Sequence, residues 1–306
     1  MKIAARTLNA IWGMLLVMFV FSEQGFAQQG WLWQNPLPQG NHLADIYVFG
    51  QNTAIAVGEI GTVMKTTDGG TNWNVQHYAG GTTNELSSVY FTDVNTGWAV
   101  GSGGTILKTA NGGTNWSSQT SGTSNGLNSV YFTDANTGWA VGESGTILKT
   151  ANGGTNWSAQ ISGTTHVLLS VCLTDANTGW VVGDSGTILK TTNGGTNWSS
   201  QTSGTSSNYL NSVYFTDANT GWAVGGSGGT ILKTINGGTT WSSQTSGTTT
   251  TLLSVYFIDA NTGWAVGGTI LKTTNGGTTW SAQTSGTNRA LRSVYFTDAN
   301  IGWVER

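Results

Sequence analysis

The chain has 306 residues, among them 46 Gly, 2 Pro and 15 Trp, and only 8% are Asp, Glu, Lys or Arg, against about a quarter in ordinary soluble domains. So little charge excludes a protein built from solvated helices, and a formal net charge of −3 gives a poor electrostatic footprint for nucleic acid. Cys172 is the one cysteine, which excludes an internal disulfide.

At the N-terminus, Lys2 and Arg6 precede an apolar run from Ile11 to Phe21 that is too short to span a bilayer as a helix. With small residues in Gly25-Phe26-Ala27, residues 1–27 read as a secretory signal peptide cleaved after Ala27. The expected location is therefore secreted or periplasmic, with no membrane span left after cleavage. Losing Lys2, Arg6 and Glu23 removes two positive charges and one negative, taking the net charge from −3 to −4. Residues 28–306 are expected to form a single domain and to act as a monomer.

From Trp31 onward the chain repeats itself. Trp31-x-x-Gln34 matches Trp116-x-x-Gln119, the last strand of a repeat without its first three, and Leu43 to Tyr47 then opens the first full copy. The copy beginning at Leu127 shows the pattern, with strand character in Ser129 to Thr133, Gly138 to Gly142, Thr146 to Thr150 and Trp157 to Thr164. Closing tryptophans recur at Trp73, Trp116, Trp157, Trp198, Trp241 and Trp280, and a second series at Trp98, Trp139, Trp180, Trp222, Trp264 and Trp303. The first series is spaced by 43, 41, 41, 43 and 39 residues. Four strands in about 41 residues is the length of a propeller blade, and the apolar residues alternate with period two. The last stretch, Leu291 to Val304, supplies only a first and a second strand. Six repeats plus a shared blade predict seven blades, the last incomplete, completed by the N-terminal strand and truncated at its C-terminal side.

The turn between the third and fourth strands carries the most information. Gly153-Gly154 supplies the positive φ a tight turn demands, and Asn152 bonds its side chain to backbone amides of the same turn. In the first repeat this turn reads Thr66-x-Asp68-x-Gly70-x-x-Trp73 and resembles the Asp-box, or bacterial neuraminidase repeat. The frame recurs as Asn111, Gly113, Trp116; Asn152, Gly154, Trp157; Asn193, Gly195, Trp198; Asn236, Gly238, Trp241; and Asn275, Gly277, Trp280. Together with Asn-Thr-Gly-Trp-Ala-Val-Gly and Gly-Thr-Ile-Leu-Lys-Thr, the whole repeat resembles the photosystem II stability and assembly factor family. That resemblance implies a seven-bladed propeller and a chaperone-like role in holding a reaction-centre precursor.

No residue is expected to be catalytic, to ligate a metal or to bind a cofactor. A sialidase needs an arginine cluster drawn from several blades, whereas Arg289, Arg292 and Arg306 lie at one end of the chain. Asp93, Asp134, Asp175, Asp217, Asp259 and Asp298 recur in register after the first strand, where a structural turn role is expected. Glu59, Glu143 and Asp184 occupy variable turn positions and are the remaining acid candidates. Lys65, Lys108, Lys149, Lys190, Lys233 and Lys272 recur just before the box. They are expected to lie along their strands and pair with turn carboxylates, the alternative being a ring for an anionic ligand. His42, His77 and His166 are out of register, and Cys172 stands where other repeats have Tyr, as a half-buried strand residue. Asn-Gly-Gly-Thr lacks the Lys-Ser ending and following helix of a phosphate-binding loop. The expected function is a non-catalytic extracytoplasmic scaffold with a protein partner; the alternative is a surface glycan ligand or a glycoside hydrolase-like protein.

Overall fold

The computed structural model describes residues 40–205, 209–226 and 228–305. Within them, six four-stranded antiparallel sheets each follow the chain in simple order, first strand to fourth. A two-stranded sheet, Ser293–Phe296 with Gly302–Glu305, follows them. No α-helix occurs among the described residues; the short helical segments are 3-10 turns. The architecture is a β-propeller.

One blade shows why the sequence folds this way. Its strands are Leu127–Phe132, Gly138–Gly142, Ile147–Thr150 and Ser158–Gln160. The second strand, Gly-Trp-Ala-Val-Gly, is buried at every position because neighbouring blades cover both its faces. Gly138 is required there: a Cβ would lie 2.5 Å from the Phe132 ring. The fourth strand faces solvent and is shorter than the sequence suggests. Trp157 precedes it, and Ser162 Oγ donates to Thr164 O, turning the chain away from the sheet soon after Gln160.

Aromatic packing joins blade to blade. Trp98 stacks on Phe132 of the next blade at 3.6 Å between centroids, while Trp157 meets the same ring edge-on at 5.9 Å. Trp180 with Phe215, Trp222 with Phe257 and Trp264 with Phe296 repeat the stack. Trp98, Trp139, Trp180 and Trp222 have no exposed surface. Burying one such indole contributes about 4–6 kcal/mol before entropic costs.

The first strands gather around the axis and are stitched by a repeated hydrogen bond. The N–H groups of Val130, Val171, Val213, Val255 and Val294 donate to Oγ of Ser88, Ser129, Ser170, Ser212 and Ser254 in the preceding repeat. In the first repeat Asp45 replaces the serine. One of its oxygens accepts Val89 N at 2.9 Å, and the other accepts Ser293 Oγ at 2.7 Å, so the last repeat is tied to the first.

This arrangement corrects the expected blade count. Six blades are four-stranded, and the sheet between the sixth and the first has two strands because the described residues end at Glu305, before any third strand. The segment Trp31 to Pro36, expected to complete that sheet, lies outside the described residues, as do residues 1–27 and Arg306.

Candidate functional site: the axial mouth

Alternating strand direction divides the connections between two faces. The turn after the first strand and the Asp-box turn share one face. The hairpin joining second to third strand, and the loop leading into the next repeat, share the other.

On the box face the predicted Thr, Asp or Asn and Gly residues bond to one another within each turn. Gly70 N donates to Thr66 Oγ1 at 2.8 Å, Thr66 Oγ1 donates to Asp68 Oδ1 at 2.9 Å, and Asn72 N donates to the same carboxylate at 2.9 Å. The Asn72 bonds hold the Asp68 carboxyl down at about 2. Asn111, Asn152, Asn193, Asn236 and Asn275 accept in the same way from the residue four positions on. Gly113, Gly154, Gly195, Gly238 and Gly277, all at positive φ, donate to the preceding threonine. Trp73, Trp157, Trp198, Trp241 and Trp280 are half-buried and Trp116 is buried.

The aspartates of the other turn on this face also cap backbone. Asp134 Oδ1 accepts Asn136 N and Thr137 N, and equivalent bonds serve Asp93, Asp175, Asp217, Asp259 and Asp298. Backbone N–H donors hold the carboxyls of Asp93, Asp134 and Asp259 below the usual range.

The lysines depart from expectation. They bond to backbone carbonyls of the neighbouring blade, not to carboxylates: Lys65 to Gly112 O, Lys108 to Gly153 O, Lys149 to Gly194 O and Lys233 to Gly276 O. Lys272 reaches Ala299 O at 3.4 Å, and Lys190, like Lys108 and Lys149, lies over the tryptophan of its own blade. A half-buried ammonium over an indole face needs a strong acceptor, and the adjacent turn provides a carbonyl. Burial lowers the Lys149, Lys190 and Lys233 pKa values.

Around the axis stand Tyr47, Tyr90, Tyr131, Tyr214, Tyr256 and Tyr295, with neighbouring rings 4.7 to 5.5 Å apart, and Cys172 takes the seventh place. Burial pushes the Tyr90 phenol and the Cys172 thiol up to about 12, so both stay protonated at neutral pH. Cys172 is 5% exposed, which is more buried than its sequence position suggests. His77 and His166 bond to Thr62 and Thr187 in different blades. No group of three metal-ligating side chains occurs among the described residues.

The opposite face carries a cavity of about 380 Å³ at the axis. Its wall includes Ala44, Ser87, Asn128, Leu169, Asn211, Leu253 and Arg292, the second residue of each repeat's opening Leu-x-Ser/Asp triplet. Six of these are the extra residue of a β-bulge, as the register shows: Leu127 opposes Gly142 and Ser129 opposes Val141, leaving Asn128 between them. A bulge re-aims one side chain, and here each blade aims one at the axis. Gly142 permits it, since a Cβ there would collide with Gly126 O.

Glu85 and Glu143 stand on the same wall. Glu143 accepts Gly126 N at 2.9 Å, and Glu59 accepts His42 N at 3.2 Å. Of the sequence candidates Glu59, Glu143 and Asp184, which all begin the turn between second and third strands, only Glu143 reaches the cavity wall. Sequence reading missed Glu85 and the bulge residues; aligning the repeats column by column exposes both, because the bulge column runs from Ala through Ser, Asn and Leu to Arg and the column that holds Glu85 differs in all seven repeats.

A family described as photosynthesis system II assembly factor YCF48 matches residues 25–121, 81–164, 115–201 and 159–246. Among curated proteins none matches. YCF48 from Cyanidioschyzon merolae superposes with a TM-score of 0.72 at 24% identity, covering 88% of this chain and 94% of its own. A YCF48 bound to D1 peptide gives 0.72 at 22% identity, covering 90% and 94%. The GH74 enzyme of Niastella koreensis gives 0.68 at 15% identity, covering 83% of this chain and 49% of that one. At these identities the superpositions establish the fold alone.

Proposed function

Because this chain belongs to the photosystem II assembly factor YCF48 family, we propose that it is a non-catalytic, extracytoplasmic scaffold that docks a protein partner. The observation that carries the reading is a family match over residues 25–246, together with a similar propeller that is bound to D1 peptide. A rigid ring offering one repetitive face and one individual face suits recognition without chemistry. In this proposal residues 1–27 direct export. The box residues are structural and the protein acts as a monomer.

The test is purification of the tagged full chain from an envelope fraction after cross-linking, with a D1-type peptide and a glycan array assayed in parallel. An identified envelope polypeptide that co-elutes at fixed stoichiometry supports the scaffold. The second reading, a glycan-binding or glycan-cleaving protein, draws on Glu85 and Glu143 sharing one cavity and on GH74 propellers of similar fold. Saturable glycan binding or hydrolysis with no protein partner would establish it instead. N-terminal sequencing of exported protein tests the signal, which fails if Met1 is retained.

A further inference from the structure

The repeats provide an internal control for which positions answer to something outside the fold. Exposed fourth strands keep their residues from copy to copy, as in Ser117-Ser118-Gln119 and Ser242-Ser243-Gln244, and so do the box turns. Exposure alone has therefore not randomised this chain. The bulge-column residues take five identities in seven repeats although Leu before them is constant and Ser after them changes only at Asp45. Part of this individuality lies where six bulges and Arg292 converge on one cavity, whose wall also takes Glu85 and Gly126 from the column before the constant Leu.

The chemistry of that cavity is mixed and ordered. Glu85 and Glu143 belong to the second and third repeats, and Arg292 opens the seventh, so the guanidinium stands two sectors from one carboxylate and three from the other. Two negative charges against one positive leave a net charge that a ligand of net charge +1 complements. Leu169 and Leu253, in the repeats on either side of Asn211, add apolar wall. The Asn128 and Asn211 amide nitrogens are engaged with Leu168 O and Leu252 O, both at 2.8 Å, which leaves their carbonyl oxygens as acceptors. A volume of about 380 Å³ exceeds what a bare ion needs and is at the small end of sites for organic ligands.

We propose that the axial mouth binds a free basic α-amino acid, lysine or arginine, with its side-chain cation between Glu85 and Glu143 and its α-carboxylate on Arg292. The aliphatic stem lies along Leu169 and Leu253, and the α-ammonium meets the asparagine carbonyls. Planar guanidinium and carboxylate groups pair in a two-point geometry, which favours arginine at the acidic wall and a carboxylate at Arg292. The site goes beyond partner docking and stands or falls separately from it, since its ligand is a small molecule.

The experiment is calorimetric titration of the full chain with L-arginine and L-lysine, beside norleucine, which lacks the distal cation, and cadaverine, which lacks the carboxylate. Saturable binding of a basic amino acid is expected, with norleucine and cadaverine each weaker by about tenfold or more. The Glu85→Gln/Glu143→Gln variant should lose affinity for lysine and arginine by a similar factor, and Arg292→Gln should abolish the preference for lysine over cadaverine. Thermal melts of both variants should match the parent, since all three side chains are exposed. No saturation with either amino acid up to about 10 mM would overturn the proposal. So would equal affinity for lysine and cadaverine, which would mean a bare cation site, or unaltered binding by the variants.

Discussion

The joint between the second and third blades and the joint that closes the ring solve one packing problem with different residues. At the regular joint Trp98 stacks flat on Phe132, Trp157 closes from the edge, and both Trp98 Nε1 and Lys108 Nζ donate to Gly153 O. At the closing joint Trp303 is equally buried, yet Val48 stands where the other blade has Phe, and Trp73 meets Trp303 edge-on at 6.0 Å. In place of a serine link the closing joint has Asp45, which ties the first strands of the first, second and last repeats. Regular joints thus follow from copying a sequence, whereas closure relies on residues that break the copy.

The largest effects should come from the indoles. Trp180→Ala removes a side chain stacked on Phe215 at 3.5 Å and should cost about 3–5 kcal/mol, a fall in Tm of roughly 6–20 °C. Trp303→Ala deletes an equally buried indole that packs with Val48 where the regular joint has a Phe ring, so its cost should be smaller by about 1 kcal/mol. Denaturant unfolding of the two variants measures the difference. A larger loss at Trp303 would reverse the comparison and make closure the joint that limits stability.

Asp45 gives a sharper contrast because it titrates. Burial raises its pKa in the folded chain, while Ser293, Val89, Ser88 and Ile46 donate to it and limit the rise. A raised carboxyl pKa means the folded state favours the protonated form, so the stability associated with Asp45 is full below the ordinary carboxyl pKa. That stability then declines as pH rises through the folded value. Asp45→Asn should remove this decline, so its stability relative to the parent should improve from pH 4 towards neutrality. Asp45→Ser restores the repeat and keeps an acceptor for Val89, but shortens the reach to Ser293; a loss of about 1 kcal/mol is expected. Melts of parent and variants across pH decide it, and a parallel pH dependence in all three would show that Asp45 does not sense pH.

Much of this was legible because the chain states its fold six times over. Glycine pairs, paired tryptophans and a period near 41 residues specify blades, and Gly138 and Gly154 are required by contacts that a Cβ would violate. Legibility failed where a residue's role depends on geometry across the ring. Asp45 reads as one substitution in a strand, and nothing local reveals that Ser293 is its partner. The lysines were paired with carboxylates because opposite charge is visible in sequence, whereas a backbone carbonyl of the next blade is not. Bulges were missed for a related reason, since an extra residue in a strand shows only in the register of its neighbour.

Smaller effects test how far the box face is structural. Lys149→Met keeps an apolar stem over Trp139 but loses the ammonium that bonds Gly194 O, and about 1 kcal/mol of stability should go with it, measured by thermal melting.

Asp68→Asn should change least, because five other boxes already carry Asn there with the same bond to the residue four positions on. What Asp68 adds is a dependence on pH. Its carboxyl is held at about 2, so its contribution is full above the ordinary carboxyl range and disappears as pH falls through that value. Parent and variant should therefore melt together at neutral pH and separate only in acid, with the parent losing more. Separation at neutral pH would show that the bond from Asn72 Nδ2 to Asp68 Oδ2 stabilises the first box, and the first blade would then differ from its copies on this face as well.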